Sequence, residues 1–156
     1  MLKVKLFAML FICVPMISWG AQDRSFGIGA VIGNPTGISG EFLLDQNNAV
    51  DFAAAWSTWH YIGFHLHADY LWINNPFFHV QTTPVNWYYG IGGRVVTITN
   101  DKHEGKTALG PRVPVGMSFY LPQAPIKVFG ELAATLNLTP ATDVDLGAAI
   151  GARFYF

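Results

Sequence analysis

The segment 144–156, VDLGAAIGARFYF, alternates without interruption. Its even positions, Val144, Leu146, Ala148, Ile150, Ala152, Phe154 and Phe156, are all apolar, and its odd positions, Asp145, Gly147, Ala149, Gly151, Arg153 and Tyr155, are polar or small. A period of two is the repeat of a β-strand, whose successive side chains point to opposite faces. Residues 126–138 repeat the design, with Ile126, Val128, Gly130, Leu132, Ala134, Leu136 and Leu138 on one face. Lys127, Phe129, Glu131, Ala133, Thr135 and Asn137 occupy the other, and Thr139-Pro140-Ala141-Thr142-Asp143 supplies a turn between the two strands. The charges in both strands therefore fall on one face, which in 144–156 also carries the glycines, and the other face is the oily one.

That arrangement runs opposite to a soluble sandwich or lipocalin-like barrel, which keeps apolar residues inside and polar ones outside. Apolar residues make up 51% of the chain and charged ones 12%, with a mean hydropathy of +0.30. No uninterrupted apolar run after residue 21 approaches the roughly 18 residues that a membrane helix needs. A membrane β-barrel reconciles these facts, because each strand needs to be apolar on one side only. Apart from Lys102 and Lys106, lysine that would suit an aqueous surface is nearly absent.

The same periodicity predicts eight antiparallel strands over 25–33, 37–44, 49–58, 61–73, 85–98, 107–120, 126–138 and 144–156, closing as an up-and-down transmembrane barrel. Turn-forming residues separate them, except at a tight break near Trp59-His60. With each strand phased by its apolar positions, Glu41, Asp51, Asp69, Arg94, Arg112, Lys127, Glu131, Asp145 and Arg153 face inward. A charge facing lipid at mid-depth costs about 2–4 kcal/mol, so the sorting has a physical cause. Inward positions alternate small residues such as Gly27, Gly29 and Gly92 with large ones such as Tyr88, Phe129 and Tyr155, as befits an interior filled by side chains. Buried charges must be paired. Glu131 and Arg153 are expected as diagonal neighbours in an internal ion-pair network with Arg112. Pro111 and Pro114 cannot donate to a ladder, so a bulge is expected in the sixth strand.

Residues 1–21 read as a cleaved secretory signal: Lys3 and Lys5, an apolar run from Leu6 to Ile17, then Ser18 and Gly20 at positions suited to cleavage. The expected domains are thus 1–21, signal peptide, and 22–156, barrel. Cys13 lies in the signal and follows Ile12, which does not fit a lipidation motif, so the remaining chain has no disulfide and no thiolate site. Seven basic and ten acidic residues remain, a net charge of about −3, with no basic patch for nucleic acid.

The closing strand, with Phe154 and the last residue Phe156 on its apolar face, resembles the C-terminal assembly signal of bacterial outer-membrane barrels. Eight strands behind a signal peptide resemble the OmpA/OmpX-like class. More narrowly, GNPTGISGEFLL, YYGIGGRV, RVPVG and GARFYF resemble an uncharacterised family of small outer-membrane barrels with short outer loops. The resemblance implies a place in the bacterial outer membrane, in contact with its lipid, and a monomer is the default expectation. The resemblance also implies delivery by periplasmic chaperones and folding by the barrel-assembly machinery, with no assigned activity. With the N-terminus in the periplasm, Phe26, Phe52, Tyr70, Trp72, Trp87, Tyr89, Phe119, Phe154 and Phe156 collect at one end as an aromatic girdle, and Trp56, Trp59 and Tyr61 mark the opposite rim. The longest turn, 74–84, then lies on the periplasmic side.

Three patterns invite a chemical reading. His65, His67 and Asp69 stand on one face of the fourth strand, a spacing that can hold a metal. The blander reading, that the two histidines satisfy lumenal carboxylates, is preferred, and neither metal nor cofactor is assigned. Ser57, Thr58 and His60 sit near a rim with Asp101, Glu104 and Asp143 in other loops, the ingredients of a lipid-modifying hydrolase or acyltransferase. A charged lumen offers no groove for an acyl chain, so no enzyme is expected. Gly27-Ile28-Gly29 and Gly90-Ile91-Gly92 precede no helix and make no phosphate cradle. The sequence therefore predicts an integral barrel with a plugged polar lumen and a structural or unassigned role. A narrow solute or ion pore is the first alternative, and a lipid-modifying enzyme the second.

Overall fold

The computed structural model describes residues 24–57, 62–98, 106–139 and 142–156. Eight strands follow one another: β1 (Phe26–Gly33), β2 (Thr36–Leu43), β3 (Asn48–Ser57), β4 (Ile62–Val80), β5 (Thr83–Ile98), β6 (Lys106–Tyr120), β7 (Ile126–Asn137) and β8 (Asp143–Tyr155). Each pairs antiparallel with the next, and β8 returns to β1, so the sheet closes into a barrel without a free edge. At the seam Gly27 faces Tyr155 and Gly33 faces Ala149, and the Phe156 amide donates to the Phe26 carbonyl at 2.9 Å.

The alternation in sequence becomes the two sides of the wall. Glu131 is 8% and Arg153 2% exposed, while Leu132 and Ile150 are 61% and 66% exposed. Glu41, Asp51, Asp69, Arg94, Arg112 and Lys127 are likewise buried inside, while most of the large apolar side chains are exposed on the outer wall. Three small apolar groups also lie inside: Val31, Ala53 and Phe129; Ala49, Leu71 and Tyr88; Val96 and Ala108.

Two local expectations are corrected. Residues 74–84 are not a loop: β4 runs on to Val80 and β5 begins at Thr83, with Phe78 opposite Val85 and Val80 opposite Thr83. The asparagines and prolines read as punctuation are accommodated by register shifts between Ile73 and Phe78, and the tight turn is made at Gln81, whose φ is 57°. Beyond Ile73 this ribbon leaves β3, whose last partner on β4 is Trp72. Nor do the prolines of β6 create a bulge. Pairing to β7 begins at Arg112, just past Pro111, and pairing to β5 skips Ile91 and Gly90 opposite Val113 and Pro114 while keeping one register on either side of the gap. Losing a ladder bond on each flank replaces inserting a residue. The expected signal at 1–21, the break near Trp59, and Thr58, His60, Asp101 and Glu104 lie outside the described residues.

Candidate functional site

The interior is organised in oblique rows of cross-strand partners. One row runs Tyr155, Gly27, Glu41, Asp51, Asp69, Gly92, Arg112, Thr135, Asp145. It places Glu41, Asp51 and Asp69 side by side on β2, β3 and β4. Like charges directly opposite each other destabilise a sheet unless something compensates them. The compensation comes from other strands.

Arg153 on β8 crosses the lumen and satisfies three groups at once. Its Nη1 lies 2.9 Å from Glu41 Oε1 and its Nη2 2.9 Å from Asp51 Oδ2, its Nε donates to Ser39 Oγ at 2.9 Å, and its guanidinium sits 4.0 Å from the centre of the Phe129 ring. Lys127 Nζ takes the other oxygen of Glu41 at 2.7 Å, and the Tyr155 hydroxyl donates to the same carboxylate. Gly29 stands between Arg153 and Ser39 in their row, and a Cβ there would collide with the Ala152 carbonyl. The glycine is therefore required by close approach.

Arg112 on β6 contacts both Asp69 and Glu131, reaching Asp69 across Gly92, where any side chain would strike that carboxylate. Tyr88 donates to Glu131 Oε2 at 3.1 Å. Nearer one end, Arg94 Nη1 lies 2.6 Å from Asp145 Oδ2 while its Nη2 donates to Asn137 Oδ1 at 2.8 Å. The nine charged residues singled out in the sequence thus fall into three ion-paired groups. The structure does not make Glu131 and Arg153 diagonal neighbours: Arg153 faces Lys127, and Glu131 faces Ala149. Ser39 and Asn137 join the polar set without having been singled out, because which arginine each would meet depends on the register.

His65 and His67 also face inward, but their hydrogen bond is to each other, Nε2 of His65 to Nδ1 of His67 at 2.9 Å, not to a carboxylate as expected. Asp51, His67 and Asp69 each place one potential ligand atom within 4.8 Å of the other two. That grouping replaces the His65, His67 and Asp69 triple read along one strand.

Outside, aromatic side chains cluster at the end where β1 begins and β8 finishes. Trp72 stacks on Tyr89, Trp87 stacks on Tyr89, Phe26 stacks on Phe52, and Phe154 packs edge-on against Phe156. Phe119 is half-buried on the same end, and Trp56 stands exposed near the opposite rim. A shallow groove of about 990 Å³ runs over the outer wall, with Phe77 and Trp87 in its lining together with Met117, Leu132, Ile150 and Ile32.

No family model matches the chain, and no curated protein matches it. Among solved structures, the N-terminal β-barrel domain of Pseudomonas aeruginosa OprF matches with a TM-score of 0.59 and 14% identity, over 86% of this chain and 98% of that one. At that identity the likeness is one of fold: a closed eight-stranded antiparallel barrel of the kind found in an outer-membrane protein.

Proposed function

We propose that the chain is an integral protein of the bacterial outer membrane whose polar lumen is closed by its own side chains, with a structural role and no catalytic one. The observation that carries the reading is the inverted wall: large apolar side chains are exposed on all eight strands, while eight of the nine charges singled out are buried inside and the ninth, Asp145, is half-buried. In water such a surface would aggregate. In a bilayer, tilted strands the length of β8 span the hydrocarbon band, and the stacked tryptophans and tyrosines sit at the headgroup level. On this reading the termini and the β4–β5 ribbon are periplasmic, and the outer groove is filled by lipid chains. The protein is a monomer of the short-loop kind, delivered by periplasmic chaperones to the barrel-assembly machinery.

Lumenal closure is supported by Arg153 and Arg112, each of which is buried and paired with acids on two other strands. Planar-bilayer recording on refolded protein tests it. Silence across the voltage range is the expected result, and a steady ion-selective current would replace the plugged reading with a narrow pore. Sedimentation with native outer-membrane fractions, resistant to carbonate extraction, tests the location.

A further inference from the structure

Within the interior the ion pairs fall into groups whose charges can be compared. Glu41 and Asp51 are matched by Lys127 and Arg153, and Asp145 by Arg94. Asp69 and Glu131, in contrast, share the single guanidinium of Arg112. Among the described residues one carboxylate charge is left over, and it belongs to a group that includes Asp69, beside Asp51.

The unsatisfied atoms sit at the same place. Asp51 gives Oδ2 to Arg153, and its Oδ1 has no hydrogen-bond partner. Asp69 turns Oδ2 toward Arg112 as an ion pair, but neither of its oxygens has a hydrogen-bond partner among the described residues. Both residues are 1% exposed and His67 is 5% exposed. Leaving a buried charged oxygen unsatisfied costs more than leaving a neutral group so. The two aspartates are direct cross-strand partners, and His67, two residues before Asp69, completes a set of three potential ligand atoms within 4.8 Å.

We infer that Asp51, Asp69 and His67 form a divalent-metal site inside the barrel, with His65 as its positioning partner. With its proton on Nδ1, His67 donates to Nε2 of His65 and leaves its own Nε2 lone pair for the ion. Metal-bound histidines are commonly held in this way through their other ring nitrogen. Each aspartate is likewise fixed by an arginine on its second oxygen, so both carboxylates are oriented before an ion arrives. One imidazole and two carboxylates suit a borderline first-row ion, zinc before manganese, over calcium or magnesium, which favour all-oxygen shells. A cation there would meet the surplus negative charge and the orphaned oxygens together.

The test is to refold the chain in detergent with Zn²⁺, remove loosely held ion on a chelating column, and measure bound zinc by mass spectrometry. One equivalent is expected. His67→Gln and Asp51→Asn should abolish retention, His65→Gln should weaken affinity by about 10–100-fold, and His79→Gln, on the exposed ribbon, should change nothing. Co²⁺ loading of the unmodified protein adds a readout that does not depend on a variant folding: absorption bands of a four-coordinate centre with nitrogen and oxygen ligands. Retention of no ion, retention unaffected by His67→Gln, or retention lost in His79→Gln would each overturn the assignment. Because the site lies in the lumen, these outcomes stand apart from whether the barrel conducts or where it resides.

Discussion

At the scale of single residues, the interior depends on how many acids each cation serves. Arg153 holds Glu41, Asp51 and Ser39 in a water-poor interior, and Asp51 has no other cation among the described residues. Removing one partner of a buried pair strands the other charge, at a cost of about 3–5 kcal/mol. Arg153→Met should lose that much in reversible urea unfolding followed by tryptophan fluorescence, and the loss should shrink when Asp51→Asn is already present. Arg94→Met, whose partner Asp145 is half-buried near a rim, should cost about 1 kcal/mol. Equal losses for the two would refute the ranking. Asp45 is a contrasting case at an exposed turn. The Asn47 amide donates to its Oδ1 at 2.7 Å, and the Asn48 side chain and amide bond the same carboxylate. These bonds favour the ionised form and hold its pKa below the usual carboxylate value. The turn's contribution is therefore fully present above the unfolded pKa of Asp45 and fades as pH falls through the lowered folded value. Carboxyl-detected NMR should find Asp45 titrating at lower pH in the folded protein than in urea; coincident curves would contradict the turn geometry.

At the scale of elements, the β4–β5 ribbon is the part least tied to the rest. From Asn74 to Val80, β4 pairs with β5 alone, and β5 meets β6 only from Asn86 onward. Segments with few neighbours open at low free energy. Amides of 74–85 should therefore exchange with deuterium faster than those of 66–71 and 88–96 in the same micelle, and uniform protection would show the ribbon to be an integral part of the wall. Its extent was hidden in the sequence because Asn74, Asn75, Pro76 and Pro84 carry strong turn signals, whereas Phe77, Phe78 and Val80 are strand formers too few to outweigh them. By contrast, β7 and β8 were plain, since thirteen alternating positions leave only one phase. Side was legible; register was not. Lys127, Glu131 and Arg153 could be placed inside from sequence, but that Arg153 reaches Glu41 and Asp51 instead of Glu131 follows from where β8 meets β1. The third ligand beside His67 and Asp69 was missed for the same reason. Asp51 is on a different strand, and no local spacing announces it.

At the scale of the whole molecule, closure joins β8 to β1, which makes the residues at the end of β8 part of the wall. The backbone of Phe156 contributes to closure through its amide on Phe26, while its ring is 64% exposed and packs chiefly on Phe154. The ring therefore adds little to the folded barrel. If its role is to be read during assembly, as the resemblance to outer-membrane barrels implies, its effects on stability and on biogenesis should separate. Phe156→Ser should change the unfolding free energy of refolded protein by no more than about 0.5 kcal/mol, the usual range for an exposed side chain away from special contacts. In cells the same variant should accumulate in the periplasm and fall severalfold in the membrane fraction. Gly29→Val provides the inverse control: it crowds the β1–β8 seam beneath Arg153, so it should prevent refolding in detergent as well as in cells. A Phe156→Ser protein that failed equally in both settings would place the ring's role in the fold itself, and normal membrane levels would deny it any role in assembly.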